Sequence, residues 1–140
     1  MDSRMIAYMY FFNVKRDYFE CHEYLESLWL DSGRPVVQKG LIQAAVCLYH
    51  LHNGNIRGAY RMWQRAKHYV QGGRPVYEFI DINQLVRDID QVFSHVPTQL
   101  YDSVVSPKQV ENWGLPTVSL TITDASIASS LATFCPEPLD

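Results

Sequence analysis

Three short breakers do most to limit what this chain can fold into: "DSGRP" (31–35), "NGN" (53–55) and "GGRP" (72–75). Glycine and asparagine in such runs accept left-handed backbone, and proline stops a helix from continuing. Between them lie segments of helical length. The first runs from about Arg16 or Asp17 to Leu30, the second from Pro35 to His52, and the third from Ile56 to Gln71. A fourth follows, in which Ile82, Leu85, Val86, Ile89, Val92 and Phe93 recur at three and four, with Asp81 and Gln84 spaced as a capping box. Connectors this short make neighbouring helices antiparallel. The fold expected is all-α, an up-and-down bundle of four main helices over residues 1–97.

Past Pro97 the texture changes. Residues 98–140 form a proline-punctuated tail, packed on the bundle or partly disordered. Within it "TVSLTIT" alternates strictly, which predicts one short strand with no obvious mate, and Asp124 is placed to cap a short helix through Ile127 and Leu131. A lone strand leaves backbone groups unpaired, so a homo-oligomer built across it is one way to complete it.

The apolar start "MIAYMYFF" lacks a small-residue cleavage site and reads as merging directly into the 16–30 helix. No run is long enough to span a membrane. Cys21, Cys47 and Cys135 are odd in number and widely spaced, without a CxxC pair, which suits a reducing cytoplasm rather than a disulfide framework. The formal net charge of −3 offers no global field for nucleic acid or an anionic membrane and argues against both as partners. Arg57, Arg61, Arg65 and His68 do form a basic ridge on the third helix, the usual pattern of a solvated face.

The chemistry concentrates in "FFNVKRDYFECHEYLESLWLD", Phe11 to Asp31. On a wheel of about 100° per residue with His22 at zero, Glu26 falls at about 40°, Trp29 at about 340° and Tyr18 at about 320°. Both His22 and Glu26 thus lie in the apolar stripe, looking into the seam between the first two helices. Asp17, Glu20, Tyr24 and Ser27 take the solvent side, and Glu23 stands on the border. A carboxylate placed so must find partners. The next helix supplies candidates, because Lys39, Gln43 and His50 share one edge of an otherwise apolar cylinder.

The octapeptide "HEYLESLW" resembles the HxxxExxW signature of a family of small bacterial and archaeal helical proteins classed as a domain of unknown function. The likeness takes in Phe12, Asn13, Phe19 and Glu20 upstream and "QKGLIQAAVCLYHLHNGNIRGA" downstream. It implies an all-helical up-and-down bundle and no established activity.

Three readings follow for the polar cluster. The first is a structural pin that fixes helix register. The second is a binding module for a small molecule or a protein, its ligand touched by Asn13, Tyr18, Glu23, Trp29, Gln43 and His50. The third is a small metal-dependent or acid/base hydrolase with His22 and Glu26 as catalytic pair. A divalent metal would then be held by His22, Glu26 and His50. The spacing departs from HExxH, where both i and i+4 are histidine. No nucleophile elbow, phosphate loop or dinucleotide fingerprint is present.

Overall fold

A computed structural model describes residues 1–140. It is mainly helical: α1 (Ser3–Tyr10), α2 (Tyr18–Asp31), α3 (Val36–His52), α4 (Ile56–Tyr69), α5 (Ile82–Ser94), α6 (Pro107–Trp113) and α7 (Ala125–Ser130). No helix is long and apolar enough to cross a membrane.

The all-α expectation holds, with helices packed on helices, but the amino terminus departs from it. The apolar start does not run into the next helix. It forms α1, which ends in a π-helical turn over Phe11–Lys15, and Arg16 then adopts a left-handed backbone at φ 54° that breaks the chain before α2. Asp17 restarts it, its carboxylate accepting from the Glu20 N–H. The separate α1 lies along α2, and this changes which face of α2 is inside.

Helix α3 is central. Its core side presents Leu41, Ala44, Ala45, Cys47, Leu48 and Leu51, all 2% exposed or less. At Gly40 a side chain would bring Cβ within 2.6 Å of Val70 Cγ1, so glycine here permits α3 to approach the end of α4 closely. Gly54, in the α3–α4 turn at φ 87°, combines left-handed backbone with the nearness of the Val105 carbonyl, which an added Cβ would meet at 2.0 Å.

Helix α5 is capped as its sequence suggests, but only by half: Asp81 accepts from the Gln84 N–H at 2.9 Å, while the Gln84 side chain turns forward to Asp88. A two-stranded hairpin not foreseen from the sequence, β1 (Val76–Tyr77) with β2 (Ile80–Asp81), precedes it.

That hairpin supplies the mate for the strand-like segment of the tail. Ile80 bridges Ile122 antiparallel, the Asp81 N–H donates to the Thr121 carbonyl, and the Thr123 N–H donates to that of Phe79. Leu120 and Val118 of the segment are met by side chains at the π-turn. Asn13 donates to the Leu120 carbonyl at 2.9 Å and accepts from the Leu120 N–H at 2.7 Å, the exchange a neighbouring strand would make. Arg16 donates to the Val118 carbonyl. The tail contributes Val110, Val118, Leu120 and Leu131 to the same core of 32 buried residues. Asp124 caps α7 by accepting from the Ile127 N–H.

Candidate functional site

Helix α2 buries Tyr18, Cys21, Tyr24, Leu25 and Leu28. The centre of that set lies roughly 100° around the helix from His22. The reason is α1: docked on α2, it buries Tyr24, expected at the solvent, and brings Arg4 to donate to Ser27 at 3.0 Å and to Asp31 at 2.6 Å. Packed from both sides, α2 turns His22 and Glu26 out of the seam. Their side chains are 28% and 47% exposed, so they stand on its rim and not in its interior.

On that rim the imidazole sits between two carboxylates. Nδ1 is 3.2 Å from Glu23 Oε1, and Nε2 is 2.9 Å from Glu26 Oε2. One turn on, Trp29 donates its indole N–H to the carbonyl of Pro35, with the Arg34 guanidinium 5.5 Å from the ring centre. The tryptophan thereby holds the α2–α3 turn and fixes how far the two helices stand apart beside His22.

A cavity of about 280 Å³ opens between α2, α3 and α4, lined by His22, Glu26 and Trp29 on one wall, Lys39, Ile42, Gln43 and Val46 on the floor, and Met62 on the other wall. Two of its polar groups are incomplete. The Gln43 Oε1 atom is shut off from solvent and accepts no hydrogen bond. The Lys39 ammonium makes no ion pair and rests over the Tyr69 ring at 4.8 Å.

The structure therefore brings together His22, Glu26, Trp29 and Gln43, with Glu23 attached through His22. Three sequence candidates stand elsewhere. Asn13 is occupied by Leu120. Tyr18 stacks on His52, ring centres 5.8 Å apart and planes within 5°, on another part of the α2–α3 seam. His50 lies roughly 10 Å further along α3 than Gln43, two turns on, and neighbours Tyr49 instead of the groove. The proposed metal set of His22, Glu26 and His50 does not converge, and no three His, Cys, Asp or Glu side chains meet in a way that could hold an ion. Cys21 is no nucleophile in waiting: its Sγ points to the Tyr8 carbonyl at 3.5 Å, and burial pushes the thiol well above its ordinary range.

Ile42, Val46 and Met62 were missed as groove residues. Ile42 and Val46 lie beside Gln43 on α3 by helical spacing, a signal available in the sequence, but nothing in the sequence reveals that α4 closes the far wall through Met62.

A family comparison takes in all of these positions. Residues 5–62 match the family described as Domain of unknown function (DUF309). The matched stretch begins in α1, contains every groove residue and ends on Met62. The chain is also similar to a Bacillus subtilis (strain 168) protein described as "Uncharacterized protein YpuF", 34% identical over 109 residues, which cover 73% of this chain. The chain spans about 62% of that relative's length. No solved structure matches it. The DUF309 segment thus holds the groove but not α5, the hairpin or the tail.

Proposed function

We propose that the groove of α2, α3 and α4 is a recognition site for a small ligand, and that the protein acts as a binding module. The observation that carries this reading is Gln43. A buried acceptor without a donor costs about 1–3 kcal/mol and is uncommon in folded proteins; of the two here, Gln38 Oε1 and Gln43 Oε1, only the second belongs to a residue that lines the groove. Here it adjoins an opening walled by an aromatic ring, apolar side chains and a few charged groups, the usual composition of a ligand pocket. A turn of the Gln43 amide towards the groove lets a ligand N–H supply the missing donor.

A fragment screen on the full chain, read by two-dimensional NMR of backbone, indole and side-chain amides, tests this. Binders are expected to move the Trp29 indole and Gln43 amide signals together, and Gln43→Leu is expected to abolish their binding without lowering the melting temperature. A screen in which no fragment reaches these signals sinks the reading.

One contact favours a second reading. His22 held by carboxylates at both ring nitrogens is an arrangement suited to moving protons, so acid/base hydrolysis with Glu26 as base is its alternative. Turnover of activated esters or anilides that disappears in His22→Ala would favour it, and a panel left unturned would count against it.

A further inference from the structure

The two walls of the groove come from helices of opposite charge. From Asp17 to Asp31 the chain carries five acidic residues and no lysine or arginine, whereas from Asn53 to Tyr77 it carries five lysines and arginines and no acid. Both stretches flank α3, and although Arg4 pairs with Asp31, Arg61 with Asp102 and Lys67 with Asp90, acids without a lysine or arginine partner remain on the α2 side and Arg57 and Arg65 remain unpaired on the α4 side.

Inside the groove the same division recurs at atomic scale. On the α2 wall, Glu26 uses Oε2 for His22 and leaves Oε1 without a partner in the protein. On the floor, Lys39 is the single lining cation and lacks a counter-charge, and at the far rim the Arg65 guanidinium lies 3.9 Å from Met62 Sδ without an acid beside it. Glu26 and Lys39 line one small cavity yet do not pair with each other. Opposite charges held close but apart are both satisfied when a ligand brings its own pair of charges between them. Between and below them lie Ile42, Val46 and Met62, which favour an apolar body.

Resting on the reading of the groove as a ligand site, we infer that its ligand is a free zwitterionic amino acid with an apolar side chain. The ammonium meets Glu26 Oε1 and the Gln43 amide oxygen, the carboxylate meets Lys39, and the side chain lies on Ile42, Val46 and Met62. The volume agrees: about 280 Å³ stands at the lower end of ligand pockets, which suits one residue and not a chain of several.

L-Leucine, isovalerate and isoamylamine share one hydrocarbon body and differ only in carrying both charges, the negative one or the positive one. Titrated into the full chain and followed at the Trp29 and Gln43 signals, L-leucine is expected to bind at least tenfold more tightly than either half. Lys39→Gln should reduce its affinity to about that of isoamylamine, and Glu26→Gln to about that of isovalerate. Both positions are partly exposed, so each variant is expected to melt near the parent temperature, and the melt is recorded with each titration. Equal binding of leucine and isovalerate overturns the inference. So does a groove that accepts fragments of other chemistry but neither leucine nor phenylalanine, an outcome that leaves the ligand site standing. Silence from every probe and every fragment removes both.

Discussion

Helix α2 has two flanks, and the polar groups on them are finished differently. Against α1 the main polar side chains are partnered: Arg4 reaches Asp2, Ser27 and Asp31, the Tyr24 hydroxyl donates to the Glu137 carbonyl at 2.7 Å, and that of Tyr8 to the Leu41 carbonyl at 2.7 Å. Against α3 and α4 an amide oxygen and an ammonium are left over beside a partly exposed histidine. The first flank is spent on stability. The second holds groups the fold does not use, and the ligand site proposed above is placed there for that reason.

Substitutions separate the two flanks by size of effect. Leu25→Ala, at a site with no exposure, is expected to cost about 2–5 kcal/mol in denaturant unfolding, the range for large-to-small changes in a closed core. Next comes Gly40→Ala, whose methyl meets Val70 at 2.6 Å; overpacking of this kind costs about 1–3 kcal/mol by the same measurement. Asn13→Ala leaves both backbone groups of Leu120 without their partner, a loss of about 1–3 kcal/mol, and hydrogen exchange at the Leu120 amide should accelerate. On the open flank the scale drops. His22→Ala is expected to change stability by less than about 1 kcal/mol, as partly exposed polar contacts do, and a cost like that of Leu25→Ala would return the pair to the role of a structural pin.

The smallest effect is a slope. Desolvation of the ring where it stacks on Tyr18 lowers the pKa of His52 below its ordinary value although the residue is otherwise exposed, with Lys15, Arg16 and Asp17 about the same hollow. The unfolded chain therefore takes up a proton before the folded one does, so stability is full above pH 6.5 and falls as the pH drops below it. His52→Gln should flatten the stability curve in that window, and an unchanged curve would place the titration elsewhere.

How much of this was legible in the sequence follows from distance along the chain. Helix limits were readable because glycine, proline and capping residues act within a few positions: Asp81 and Asp124 cap where the pattern puts them, and α2 starts beside Asp17 as expected. The inward face of α2 was not. "MIAYMYFF" is apolar at every position, so no periodicity marks it as a separate helix or says that it will cover Tyr24 and leave His22 at the edge. Within the site, Gln43 and the His22–Glu26–Trp29 row were visible as polar exceptions on apolar helices. The fourth wall, Met62, depends on how α4 returns across α3, and Asn13 drew attention for the wrong reason, since its partner lies 107 residues away.

That separation has a consequence for synthesis. A growing chain can wind α1 through α4 as they emerge, but the amide of Asn13 finds its mate only after residue 120 has left the ribosome. The amino-terminal turn is thus among the first parts made and among the last to be fastened, and a chain stalled before that point carries the groove without the clasp that joins its two ends.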